Sequence, residues 1–525
     1  MKKYILQIVT LIMLLPIMTS CHDELDTEPI STLAPENFFN DLEEAEIAVN
    51  GVYDAMAEHY GQHFLYMSDH GSHVATSTLG NSKLNTFAWY SFDSSNGFNK
   101  DNWQTAYKAI YRANVVINRV GLIETDDNLL KNRIIAEAKF LRALTYFNLV
   151  RFYGDIPLVL EELLDFDTIE NVNRARTASS SIYDAIIEDL KFAEENLYVA
   201  SFGSYGDTPS YDGGNLGRAT IGAAKGLLAK VYLTRASFPE RDAASHQLAY
   251  NKAKEVIDNH TYYQLDSDYF NLNSLEGKTS QEWMFQIQYR VEFEQNSRWG
   301  GLHNPRPQGS GGNKANDVGY GRISPTFKFA NSFEDGDVRF GSIFKGKINE
   351  DGSLKYFPKS VLWHSHKYRF SIKPLSKFNT DMSAPVLRYA DILLIYAEAA
   401  NELGLDGDAY DALDEILMRA QNGGTVPALV DRSLVGDDLK EFILWERARE
   451  LCFEGHAKFD IVRAGEDKFM AEVQGQQETT DESNPAKTKV VKWSNNVQPY
   501  HLLYPIPAAE MAANPSIGQN NPGYN

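Results

Sequence analysis

Cysteine is nearly absent: 525 residues contain two, Cys21 and Cys452. One pair is too few for a disulfide framework or a cysteine-rich zinc cluster. Basic charge is also scarce. Fifty Lys and Arg face 71 Asp and Glu, a net charge of −21, which argues against nucleic acid or anionic lipid as a partner, since both need a basic face. After residue 20 no stretch approaches the ~18 uninterrupted apolar residues of a membrane-spanning helix. Catalytic signatures are missing too. There is no G-x-S-x-G nucleophile elbow, and Gly277-Lys278-Thr279 is not a phosphate loop because position 272 is Leu272 rather than glycine. His59 and His63 are four apart but enclose Tyr60-Gly61-Gln62, so the H-E-x-x-H zinc pattern is not made. Glu334-Asp335-Gly336-Asp337 lacks the spaced ligands of a calcium loop and reads as a turn. No metal or cofactor is expected.

The amino terminus carries a positive information load. Lys2 and Lys3 precede an apolar run, Ile5 to Ile17, followed by Met18-Thr19-Ser20-Cys21. The run has the length of a secretion-signal core and is too short for a bilayer span of roughly 20 residues. With no A-x-A-like site, the layout resembles a bacterial lipoprotein signal (residues 1–20) cut before an acylated Cys21. His22-Asp23-Glu24-Leu25-Asp26 then resembles the acidic signal that exports lipoproteins of Bacteroidetes-type bacteria to the cell surface. Residues 21–37 would be the lipidated tether. Cys452, between Leu451 and Phe453, reads as a small core residue.

Apolar spacing near 3.6 predicts helices over Asp41–Ala57, Asn102–Val120, Arg133–Tyr153, Ser180–Leu197, Thr220–Ala236, Leu248–Ile257, Leu387–Leu403, Ala409–Ala420 and Lys440–Phe453. Arg133–Tyr153 is apolar on nearly every side, so it should be buried between neighbours, ending at Gly154 with Pro157 beyond it. Gly222 and Gly226 should allow another helix to approach closely. Tyr60 to Lys100 shows little periodicity and reads as a loop. Residues 265–384 are rich in Gly, Asn, Ser and aromatics, with short strand-like runs such as Trp283–Tyr289. The expected organisation is an N-terminal helical region over 38–264, an irregular lobe over 265–384 and a C-terminal helical region with an extended tail over 385–525, together one folded unit. Paired helices over 100–260 and 385–465 suggest tetratricopeptide-like stacking, although no clean 34-residue repeat appears.

Several motifs in order then resemble one family. They are Ala45-Glu46-Ile47-Ala48-Val49-Asn50-Gly51-Val52-Tyr53, Asn102-Trp103 through Asn114, and Ala136 to Phe147 continuing to Gly154-Asp155-Ile156-Pro157-Leu158. Arg388-Tyr389-Ala390-Asp391-Ile392 to Ala399, Glu446-Arg447-Ala448-Arg449-Glu450 to Gly455, and Tyr504-Pro505-Ile506-Pro507 follow. This set resembles the SusD/RagB family of outer-membrane lipoproteins along nearly the whole chain. The resemblance implies a mainly α fold of about four tetratricopeptide-like helix pairs with an irregular ligand-binding lobe. It implies a non-catalytic protein, lipid-anchored on the cell surface, that captures oligosaccharide (or peptide, as in the RagB branch) for a SusC-like TonB-dependent transporter. A secreted glycoside hydrolase and a purely structural lid stay open as alternatives.

Physical reading adds residue roles. Arg388 and Asp391, three apart, can pair on the helix from Leu387, with Glu398 and Glu402 on the same stripe. Glu446, Arg447, Arg449, Glu450 and Glu454 suit a similar structural network. Sugar recognition needs aromatic faces and polar side chains together. Two loops hold that mixture, so Trp89, Tyr90, Trp299 and Tyr320 are the candidate aromatic platform, with Asp69, Asn81 and Arg298 as polar partners. Each tryptophan would serve equally well as the filling of a loop core.

Overall fold

The computed structural model describes residues 38–77, 82–163, 173–200, 217–258, 263–274, 276–289, 297–303, 321–348, 354–356, 363–368, 381–421, 429–474 and 496–524. Cys21, Asn81 and Tyr320 lie outside the described residues. No helix among the described residues is long and apolar enough to cross a membrane.

The first part is a run of antiparallel helices: α1 (Leu42–His59), α2 (Gln62–Asp69), α3 (Ser82–Ala88), α4 (Gly97–Leu122), α5 (Asn128–Tyr153), α6 (Ser179–Asn196), α7 (Ile221–Ala236) and α8 (Ala244–Ile257). The starts of α1, α4, α5 and α7 are set by side chains that satisfy first-turn N–H groups. Asp41 accepts from Glu44, Asn96 from Phe98 and Asn99, Asp127 from Leu130, and Thr220 from Ala223. Packing follows chain order: α4 on α1, α5 on α4, α6 on α5, α7 on α6 and α8 on α7. This is the layered helix-pair arrangement expected from the sequence. Helix α5 is buried along most of its length, as its all-round apolar pattern predicts. It ends at Gly154, whose φ of +70° is available to glycine at little cost.

The middle of the chain is irregular. It holds a short helix α9 (Trp299–His303), α10 (Phe327–Ala330), and, after β1 (Ala75–Thr76) between α2 and α3, the short strands β2 (Trp283–Ile287), β3 (Ser324–Pro325), β4 (Ile343–Ile348), β5 (Leu354–Tyr356), β6 (Trp363–Ser365) and β7 (Ala384–Arg388). Among the described residues they form three small antiparallel sheets: β1 with β3, β2 with β7, and β5-β4-β6. Helices resume with α11 (Tyr389–Glu402), α12 (Asp406–Ala420), α13 (Gly436–Glu450), α14 (Ala457–Arg463) and α15 (Glu466–Gln474), and α16 (Ala508–Ala513) lies in the tail. Helix α11 packs on α8 and α7 as well as on α12 and α13, so the helical layers continue across the irregular insertion.

Two expectations need correction. The stretch 60–100 contains α2 and α3 rather than loop alone. Phe64 to Asp69 is buried without a break, so α2 has no polar face to produce a period. The helix predicted from Leu387 begins only at Tyr389. Leu387 and Arg388 are strand residues that pair with Phe285 and Trp283, and Arg388 is extended at φ −141°. Arg388 and Asp391 therefore do not pair, because they are not on one helix.

The small residues of α7 behave as their size suggests. A Cβ on Gly226 would come within 2.7 Å of Leu387 and 3.0 Å of Ile392 and Met284, and one on Gly222 within 2.3 Å of the Tyr263 ring. Gly226→Val should therefore lower stability by ~1–3 kcal/mol through overpacking. Chemical denaturation of the purified variant checks this, and an unchanged midpoint would refute close packing at Gly226.

The Tyr504 to Pro507 segment lies extended across α4 and α5. Tyr504 N–H donates to the Phe152 carbonyl at 2.8 Å, the Asn99 amide donates to the Pro505 carbonyl at 2.8 Å, and Asn521 donates to the Tyr153 and Tyr504 carbonyls. Its two prolines remove N–H groups that this position would otherwise leave unpaired.

Candidate ligand-binding site

Described segments that border the two loops expected to carry the site are joined. Ala75 pairs with Pro325 and Thr76 with Ser324. Thr326 donates from its backbone N–H to Val74 and from its hydroxyl to the His73 carbonyl at 2.7 Å. Arg322 N–H donates to the Leu302 carbonyl at 2.9 Å. The described residues that flank 78–81 and 304–320 are thus neighbours in space, which a separation of some 250 residues hides in the sequence.

The aromatic candidates separate into two groups. Trp299 is 1% exposed. Its indole N–H donates to the Tyr60 carbonyl at 2.9 Å, and its ring stacks on His303 with centroids 5.8 Å apart. Tyr90 is also buried. Its backbone takes φ +51°, a left-handed conformation uncommon for a bulky residue, and this turns the ring inward. The hydroxyl donates to the Gly71 carbonyl, and the ring meets Phe92, Phe469 and His501. Neither residue presents a face to a ligand, so the expected platform is corrected: Trp299 and Tyr90 are core, held by burial and by hydrogen bonds to backbone. Trp89, the neighbour of Tyr90 at the end of α3, is only partly buried. Its carbonyl accepts from Asn496, and its indole N–H has no partner among the described residues.

The polar candidates divide similarly. Asp69 is fully buried, so it too is corrected from ligand contact to core. Its carboxylate accepts from the Gly455 N–H at 3.3 Å, yet burial pushes its pKa up to about 7. Arg298 is exposed beside α9 and close enough to His63 to help lower that imidazole's pKa, after burial and against Asp101. The histidines near this region are also interior: His59, His70, His73 and His303 are all buried. Among the described residues no group of three or more His, Cys, Asp or Glu could hold a metal ion.

Behind the loops lies a buried ionic network. Arg388 donates to Glu282 and Glu450 at 2.6 Å each and to Glu454 at 3.0 Å. Arg419 binds Glu282 and Glu450. Arg339 binds Asp337, Glu446 and Glu450. Asp391 takes Lys230 at 2.8 Å and Arg447 at 2.9 Å, while Glu398 is held by Arg463. Burial alone would raise the Glu450 pKa, but Arg419, Arg388 and Arg339 outweigh it and hold the carboxyl well below its usual range. Asp391 is held down in the same way by Lys230 and Arg447. Carboxylates locked ionised between guanidiniums have no proton to give, and 0% exposure leaves them no route to a substrate. The charged motifs of α11 and α13 are therefore architectural, as their sequence suggests, although Glu282, Arg339 and Arg419 join from segments with no motif. Cys452 is a buried free thiol in the same region.

Comparison with known proteins places these features. The SusD family model matches residues 359–524. A second, described as "Starch-binding associating with outer membrane", matches residues 25–233. SusD-like protein P2 of Formosa agariphila is 29% identical over 551 aligned positions, covering all of both chains. A SusD homologue of Bacteroides thetaiotaomicron superposes with a TM-score of 0.81 at 23% identity, over 93% of this chain and 98% of that one. A laminarin-binding SusD-like protein superposes with a TM-score of 0.70 at 24% identity, over 92% and 99% of the two chains.

Proposed function

This chain belongs to the SusD/RagB family, and on that premise we propose that it is a non-catalytic binder of oligosaccharide, anchored in the outer membrane through Cys21, that hands its ligand to a SusC-like TonB-dependent transporter. The family description as starch-binding and outer-membrane-associated supports the ligand class and the location, as does the laminarin named for one structural relative. The observation that carries the reading is the division of labour among polar groups. The dense carboxylates of the core are neutralised by guanidiniums and closed to solvent, so they hold the scaffold. Among the described residues, the candidates left with solvent exposure are Trp89, partly buried, and Arg298, exposed. An aromatic ring and a planar cation suit the C–H face and the hydroxyls of a sugar.

Calorimetry with laminarin and soluble starch as probes tests this. Trp89→Ala should weaken binding of the recognised glycan at least tenfold, about 1.4 kcal/mol, in a variant whose thermal unfolding is unchanged. Wild-type affinity in that variant would remove Trp89 from the site. New reducing ends after incubation with either glycan would overturn the non-catalytic assignment.

A further inference from the structure

A cleft of about 370 Å³ opens where the end of α5, the start of α6, the end of α7, α14 and the tail meet, a volume suited to a small molecule. Tyr183, Phe238, Pro239 and Leu503 supply its apolar lining. Four charged side chains on its walls share one unusual property: none is ion-paired to another. The Arg151 guanidinium is clamped between the Phe147 and Phe459 rings, 3.8 and 3.7 Å from their centroids. Among the described residues it donates only to neutral oxygens, the Phe147 carbonyl at 3.0 Å and the Asn148 side chain at 2.6 Å. Arg176 likewise donates to the carbonyls of Asp155 and Gln519 and to the Asn521 side chain. Asp155 accepts from the Ser179 backbone N–H at 2.9 Å, and Glu240 from the Ser179 hydroxyl at 2.5 Å. The remaining cation on the wall, Arg463, is already neutralised by Glu398 and Asp460.

Two guanidiniums and two carboxylates thus line one apolar-walled cleft, each hydrogen-bonded to neutral partners and, among the described residues, none in an ion pair, with Asp155 near enough to Arg176 to favour its charged form. Burial lowers the Arg151 pKa to about 10, a cost that an anion beside it would relieve. We propose that this cleft is a second binding site, for a zwitterion with an apolar side chain: a free amino acid or very short peptide. Its carboxylate would lie against Arg151 and Arg176, its ammonium against Asp155 and Glu240, and its side chain on Phe238, Pro239 and Leu503. A bidentate guanidinium–carboxylate pair gives such a site directional selectivity. The proposal is independent of the glycan site, which lies on other residues.

The test uses L-phenylalanine, N-acetyl-L-phenylalanine and L-phenylalanine amide, titrated against the full mature chain and followed by saturation-transfer NMR and calorimetry. L-Phenylalanine should bind at least tenfold more tightly than either derivative, since each lacks one charge. Arg151→Met should weaken it tenfold or more. Arg176→Gln, at the cleft rim, provides the same readout should Arg151→Met fail to fold. Asp155→Asn with Glu240→Gln retains the acceptors for Ser179 and should abolish the preference for the free amine over the N-acetyl form. Absence of phenylalanine binding, or equal binding of all three probes, would overturn the proposal and leave the glycan assignment intact.

Discussion

Arg388→Ala should cost about 3–5 kcal/mol of stability, the range for removing one member of a buried ion pair, and should leave little folded protein at 37 °C. Arg388 is 1% exposed. Among the described residues it is the one side chain that binds Glu282, Glu450 and Glu454 together, and its Nη2 also donates to the Glu450 carbonyl at 2.7 Å. Removing it strands three carboxylates in the interior. Arg419 still reaches Glu282 and Glu450, and Lys367 still reaches Glu454, but the cluster then carries excess negative charge with no water to screen it. Arg388→Lys keeps the charge and loses the fork, since one ammonium cannot serve acceptors spread around a planar guanidinium. It should fall between wild type and alanine. Guanidinium chloride unfolding followed by tryptophan fluorescence measures the series. An alanine variant within 1 kcal/mol of wild type would mean the network contributes position but little net energy.

The second large effect is acid sensitivity. Burial lowers the pKa of His59, His303, His456 and His501 to about 3, and of His73 and His364 to about 4. Lys230 adds to the depression at His456 and Lys458 to that at His501. The unfolded chain takes up protons on these imidazoles near pH 6.5, while the folded chain does not. Each therefore contributes stability that is complete above pH 6.5 and is lost as pH falls toward its folded value. At pH 5 the loss is ~2 kcal/mol per histidine, and together these groups lose an amount on the order of the whole stability of a domain. Asp69 acts in the opposite sense. Its pKa, raised by burial to about 7, makes the folded state hold a proton that the unfolded state releases above pH 4, so this group favours folding more at pH 5 than at pH 8. The expected result is a steep fall in the denaturation midpoint between pH 7 and 5, steeper still in Asp69→Asn, where the opposing group is gone. Equal midpoints at pH 7 and pH 5 would contradict burial of neutral histidines.

How much of this was legible beforehand depends on the range of the interaction. Helix identity is a local matter, decided by the spacing of apolar residues and by end signals such as Asp127 before α5 and Gly154 after it. The helices predicted from period are present, with ends moved by a few residues, and the motif set places the chain in its family. Periodicity fails for α2 because its 8 residues span barely two turns and its polar Ser68 and Asp69 are buried with the apolar ones. It misplaces Arg388 because strand pairing with β2, a hundred residues away in the chain, overrides a helical pattern that starts only at Tyr389. Nothing in the sequence marks Glu282 or Arg419 as members of the same ionic cluster.

Composition, the run of ordered motifs and the alternation of apolar and polar positions were enough for an acidic, helix-paired scaffold with an aromatic-rich insertion. Which aromatics face outward was decided only in three dimensions. Trp89 and Tyr90 are adjacent in the chain, and one left-handed residue sends the second ring into the core while the first stays partly exposed. The cleft between α5, α6, α7 and the tail has the same origin: Arg151 and Asp155 at the end of α5 meet Arg176 and Glu240 from segments further along the chain, and the neutral partner each takes is set by where neighbouring carbonyls and Ser179 lie. A side chain's partners are chosen by tertiary packing, and local sequence carries no record of them.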